Sequence, residues 1–286
     1  MRLSPALVVA LLGTALVAAP AQAPQTTLVA STAAGPSATA AAEGHDATAA
    51  AGHDAARSAG APLQGATIVI DPGHQLGNAR FPRKINRPVN AGGLRKACNT
   101  TGTATATAAG YPEATFAWRV AVRLRTRLEA LGATVVMTRD RNSRKLWGPC
   151  VDVRGKLGNA GYRGRERAAD LKISIHGDGA AASGRGFHVI TTKRRGAVKR
   201  SARFGREVRA ALESQKFRRS TYAAGGRGLV RRGDLGTLNL SRVPTAMVEL
   251  GNMRNRRDAR TMRSAAGQRR YAKALTNSVV AYLGRD

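Results

Sequence analysis

The sequence predicts a single α/β domain, with a mostly parallel or mixed central sheet of about six strands and helices on both faces. Three observations carry this expectation. Short runs rich in β-branched and apolar residues, "TIVID", "ATVVM", "LKISI" and "TAMVEL", have strand length and fall short of helix length. Stretches with apolar residues at helical spacing separate and follow them. Glycine and proline punctuate the joins. In sheets of this kind ligands bind beyond the carboxyl ends of the strands.

Ahead of the domain, Arg2, an apolar run from Ala6 to Ala19 and the small-residue pattern Ala21-Gln22-Ala23 read as a secretory signal peptide over 1–23. That run is too short to span a bilayer and no later run is long enough to cross one, so no transmembrane segment is expected and the mature chain is expected to be secreted, outside the cytoplasm. Residues 24–64 are mostly Ala, Thr, Ser, Gly and Pro, with almost no large side chain to bury, and read as a disordered linker. His45 and His53, each followed by aspartate, lie in this linker and lack the fixed geometry of a tight metal site. Residues 65–286 are long enough to build one full hydrophobic core, expected as a monomer.

Within the domain, "TIVIDPGH" from Thr67 is the first strand. A basic, Gly- and Thr-rich insertion over 79–110 has no apolar period and reads as a loop beside the site. Phe116, Val120, Leu124, Leu128 and Leu131 recur at helical spacing; Pro112 falls in the first turn, Glu113 at the helix mouth, and Gly132 closes the run. A second strand starts at Ala133, a helical stretch covers 151–170, and "LKISIH" from Leu171 is the third strand. "GFHVITT" is a fourth strand on which His188 packs, followed by a helix over 198–215 and a glycine-rich loop whose Arg232-Gly233-Asp234 reads as a chance tripeptide. "PTAMVELGN" is the last core strand, and Tyr271, Leu275, Val279 and Leu283 mark the closing helix. Cys98 and Cys150 are the only cysteines, and in an exported chain they are expected to pair. Closing a loop of about fifty residues stabilises a fold by about 4 kcal/mol on the chain-entropy account.

Three core strands thus end in a polar side chain: His74, His176 and Glu249. Glu113 opens a helix. If these ends share one edge of the sheet, two imidazoles and two carboxylates converge, and two histidines plus one carboxylate with an open position form the ligand set of a hydrolytic zinc site. Proline and glycine ahead of His74 would break the strand and turn its ring back across the sheet end. An acid at a helix start is favoured by the helix dipole without any function, which weakens Glu113 taken alone. Glu249 is harder to dismiss, because a carboxylate inside "AMVELG" must be largely buried.

Charge adds a second expectation. With 47 Lys and Arg against 17 Asp and Glu, the chain carries a formal net charge of +30, which draws it to anionic polymers such as those of a cell wall. Specific nucleic-acid recognition is not expected, since aromatics are 4% and none alternates with a basic run.

"IVIDPGH", the helix opening at Glu113, "TR" at Thr138-Arg139, "ADLKISIH" and "VPTAMVELGNMRN" together resemble the zinc-dependent N-acetylmuramoyl-L-alanine amidases of the type 3 family, in particular secreted actinobacterial members, from about Thr67 to Leu283. The resemblance implies that His74, Glu113 and His176 hold one zinc ion and that Glu249 is the catalytic carboxylate. It also implies peptidoglycan or its muropeptides as substrate, cut between N-acetylmuramic acid and the L-alanine of the stem peptide. The chain departs from the family at His176-Gly177-Asp178, where many members have His-Ala-Asn, in the long 79–110 insertion, and around Trp147 and Cys150. Rival readings are another zinc hydrolase on the same frame, such as a peptidase or sugar deacetylase, and a non-catalytic protein that binds wall polyanions.

Overall fold

The computed structural model describes residues 61–107, 109–194 and 197–284. The expected signal peptide, His45, His53 and the linker up to residue 60 lie outside the described residues. Its elements in chain order are β1 (Thr67–Pro72), α1 (Pro82–Asn86), β2 (Pro88–Asn90), β3 (Arg95–Ala97), α2 (Glu113–Glu129), β4 (Thr134–Met137), α3 (Val151–Lys156), β5 (Leu171–Asp178), β6 (His188–Thr192), α4 (Val198–Ser214), β7 (Leu229–Arg232), α5 (Gly236–Asn239), β8 (Thr245–Asn252), α6 (Arg256–Arg263) and α7 (Ala265–Leu283).

Six strands form one mixed sheet in the order β4-β1-β5-β8-β6-β7. The pairs β1/β4, β1/β5, β5/β8 and β6/β7 are parallel, whereas β6 runs antiparallel to β8. Because side chains alternate across a strand, each strand divides its residues between two faces. Ile68, Ile70, Leu171, Ile173, Ile175, Ala246 and Val248 point to one face, where they pack with Phe116, Val120, Leu124 and Leu128 of α2, Phe204, Val208 and Leu212 of α4, and Leu275 and Val279 of α7. Met247 and Ile190 point to the other and pack on Leu238 of α5. On that second face most of the buried side chains of β1 and β5 are polar: beside Val69, Asp71, Lys172 and Ser174 are all fully buried.

The structure differs from the sequence expectations in four places. The 79–110 insertion is not a plain loop: it holds α1 and the β2/β3 hairpin, for which Val89 and Ile85 supply the buried apolar side chains. The helical stretch over 151–170 ends at Lys156, because Gly158, Gly161 and Gly164 adopt left-handed backbone that a helix cannot continue. The glycine-rich loop before β8 contains β7 and α5, elements too short to show a period. Leu63, on the linker side of the expected boundary at 65, is buried in the core, and its N–H donates to the Leu131 carbonyl.

Cys98 and Cys150 are joined by a disulfide. It ties the insertion to the residue that caps the start of α3, and both half-cystines pack with Val89 beneath the hairpin.

Candidate metal centre

The carboxyl ends of β1, β5 and β8 and the start of α2 meet at one edge of the sheet, around a cavity of about 360 Å³ lined by His74, Glu113, His176 and Glu249 among others. His176 and Glu249 are register partners on neighbouring strands, so their side chains leave the sheet side by side. His74 lies two residues past the end of β1 with φ 54°, the left-handed region that a non-glycine residue occupies at a cost and that concentrates at functional sites. Gly73 permits this turn. A Cβ there would stand 2.5 Å from the His176 ring, so the two imidazoles approach only because residue 73 has no side chain.

Glu113 is the first residue of α2 and is buried. Its Oε1 lies 3.1 Å from His74 Nε2 and 2.9 Å from His176 Nδ1 and accepts the Gly177 N–H at 3.2 Å; its Oε2 accepts the Thr103 N–H at 2.9 Å. The donor atoms of His74, Glu113 and His176 lie within 4.8 Å of one another. Two ligands of one tetrahedral zinc ion stand about 3.4 Å apart when each bond is about 2.1 Å. The donor set therefore fits zinc in chemistry and in spacing: two imidazole nitrogens and one carboxylate, with a side open to the cavity. His74 Nδ1 faces the Thr100 carbonyl at 3.1 Å. A proton donated there leaves Nε2 as a lone pair aimed at Glu113, the arrangement in which an outer carbonyl sets the tautomer of a metal-binding histidine.

The electrostatics agree with that arrangement. Burial works against the His74 imidazolium, yet the Glu113 carboxylate beside it pulls the ring above its ordinary pKa. Burial would raise Glu113, but His74 and His176 hold its carboxyl well below the usual range. The cluster thus attracts positive charge from both directions. Glu249 behaves oppositely: burial, then the negative charges of Glu113 and Asp178, push it well above the ordinary carboxylate value, and its Oε2 is buried without a hydrogen-bond partner. A carboxylate with one oxygen left unpaired in a cavity wall is suited to exchange a proton.

Further charged and aromatic residues surround this cluster. Asp234, read as part of a chance tripeptide, lines the cavity; Arg232 donates to it at 2.9 and 2.6 Å and holds its carboxyl down to about 2, and Lys96 of β3 lies 3.5 Å away. His188 sits on β6 as expected, opposite Glu249, with its ring edge to Tyr222. Arg139 and Arg154 are buried behind His74; the signal for Arg154 was Asp71 itself, an acid at the end of a core strand that needs a buried cation.

Known proteins resemble both sequence and structure. A family model described as N-acetylmuramoyl-L-alanine amidase matches residues 68–281. An N-acetylmuramoyl-L-alanine amidase of Mycobacterium tuberculosis is 38% identical over 227 residues, covering 78% of this chain and 88% of that protein. The crystal structure of the N-acetylmuramyl-L-alanine amidase Ami1 of Mycobacterium smegmatis superposes with a TM-score of 0.71 at 36% identity, covering 78% of this chain and 99% of that one. The apo form of Ami1 from Mycobacterium abscessus gives 0.70 at 38% identity, covering 77% and 100%.

Proposed function

Because the chain belongs to the N-acetylmuramoyl-L-alanine amidase family, we propose that it is a zinc-dependent hydrolase of the amide joining the lactyl group of N-acetylmuramic acid to the L-alanine of the peptidoglycan stem peptide. One observation carries the reading: His74, Glu113 and His176 converge within 4.8 Å on the wall of the cavity that Glu249 also lines. Zinc in that site would lower the pKa of a water toward about 7 and polarise the scissile carbonyl. The remaining steps belong to side chains. Glu249 takes a proton from the attacking water and returns it to the departing alanine nitrogen, so that water is split between a lactyl carboxyl group and a free amine. Glu113 keeps its orientation through the Thr103 and Gly177 N–H groups. The β2/β3 hairpin, with Lys96 against Asp234, borders the cavity.

The reading includes export by the signal peptide over 1–23, a linker ahead of residue 61, and action in the cell wall. It also includes attraction to anionic wall polymers, supported by the net charge of +30. Among the described residues no helix is long and apolar enough to cross a membrane.

The test is zinc-loaded protein incubated with purified muropeptides and the products weighed by mass spectrometry. The proposal expects intact stem peptides with a free L-alanine amine, and sugars that keep their lactyl and acetyl groups. Shortened stem peptides would make it a peptidase, loss of acetyl groups a deacetylase, and binding without cleavage a wall-binding protein.

A further inference from the structure

His74 hangs from a turn just past the sheet, whose last ladder bond runs from the Gly73 N–H to the Ile175 carbonyl of β5 at 2.9 Å. β1 ends at Pro72, and the next residues carry carbonyl groups into the interior, where each needs a partner. Those partners are two guanidinium groups. Arg154 donates from Nη1 to the Pro72 carbonyl and from Nη2 to the His74 carbonyl, both at 2.7 Å. Arg139 donates from Nε to the Pro72 carbonyl at 3.2 Å and from Nη2 to the Gly73 carbonyl at 3.3 Å. The same Nη2 reaches the Ala114 carbonyl at 2.9 Å, one residue beyond Glu113. A single side chain therefore ties the turn of His74 to the helix start of Glu113.

Both arginines are themselves fixed. Arg154 pairs with Asp71 Oδ1 at 2.5 Å and donates from Nε to the Pro149 carbonyl at 3.0 Å. It lies on α3, which starts beside the disulfide at Cys150 and whose carbonyls at Arg154 and Gly155 accept from Lys172 Nζ at 2.9 and 2.7 Å. Arg139 donates from Nη1 to the Arg141 carbonyl and Asn142 Oδ1 and stacks on the Trp118 ring. The two are 5% and 3% exposed, so neither trades these bonds for water.

From this geometry we infer that Arg139 and Arg154 are positioning residues: Arg154 holds His74 in its left-handed conformation, and Arg139 sets the separation between His74 and Glu113. The inference rests on the zinc reading above. A planar fork serves several carbonyls at once, which a lysine ammonium on a flexible stem does not reproduce.

The experiment compares the full chain with R139K and R154K, both of which keep the charge. Zinc affinity is read by competition with a chromophoric chelator, and the site geometry by the visible spectrum of the cobalt-loaded protein. Loss of outer partners of a metal ligand commonly weakens binding about 10- to 100-fold, and that loss is expected in each variant, with a shifted cobalt spectrum, unchanged KM, and kcat recovering as zinc is raised. Variants with native near-ultraviolet circular dichroism, wild-type affinity and wild-type spectrum would overturn the inference. R154K disturbs the partner of buried Asp71; if it does not fold, R139K decides alone, because Arg139 makes no ion pair with a carboxylate among the described residues. Wild-type protein that takes up no zinc overturns the proposed function, and this inference falls with it. Wild-type uptake with unaltered variants overturns the inference alone.

Discussion

The two faces of the central sheet are built from the same strands and obey different rules. On β5, Leu171, Ile173 and Ile175 face the helical layer of α2, α4 and α7, while Lys172, Ser174 and His176 face α3, α5 and the cavity. The first face needs only shape and apolar area. The second needs a partner for every buried polar atom, and it has them deep in the sheet. Asp71 accepts from Arg154, Thr138 and Ser174; burial would raise its carboxyl, but these partners hold it well below the usual range. At the rim the rule lapses: Glu249 Oε2 and, opposite it on β6, His188 Nδ1 are buried with no partner. The contrast separates polar groups that hold the molecule together from those left open to react.

That contrast can be broken or sharpened by substitution. The largest effect is expected at the rim: Glu249→Ala should lower the hydrolysis rate by about 10²- to 10⁴-fold, while zinc uptake and the unfolding midpoint change little. Loss of stability with retained rate would move Glu249 to the structural side. On the apolar face, Phe116→Ala should cost about 3–5 kcal/mol in denaturant unfolding, with kcat of the folded fraction preserved. Next in size, replacing Cys98 and Cys150 by serine should remove up to about 4 kcal/mol, measured against the native protein at equal denaturant; an unaltered midpoint would show that the loop needs no tether.

The smallest effect probes the deep polar groups. Burial lowers Lys172 to about 7 from 10.5, with Asp71 opposing. Below about 7 both folded and unfolded chains hold the proton and the full cost of a buried ammonium is felt. As pH rises from about 7 toward 10.5 the folded chain releases its proton first, so stability grows through that window. Lys172→Met should flatten this rise in urea unfolding series, and equal slopes would refute it.

How much of this was legible depended on the length of the signal. Helix α2 announces itself through Phe116, Val120, Leu124 and Leu128, four residues repeating one spacing. His74, His176 and Glu249 stand out because each follows or interrupts a core-strand run, Glu113 only because it opens the helix, and the four meet in one cavity. The hairpin of three-residue strands β2 and β3 offers no alternation to read. The helix expected over 151–170 stops at Lys156, because three glycines beyond it take positive φ. The shared role of Arg139 and Arg154 was illegible, since the groups through which they reach His74 and Glu113 are main-chain carbonyls 25 to 82 residues away, and a carbonyl has no letter in a sequence.

The central claim is that His74, Glu113 and His176 gather a single divalent cation at the polar rim. Metal analysis of protein stripped with chelator, reloaded with zinc and dialysed tests it most directly. The account predicts one zinc per chain in the wild type and in Glu249→Ala, and none in His74→Ala. A wild type without zinc, or a His74→Ala variant that keeps it, would contradict the account.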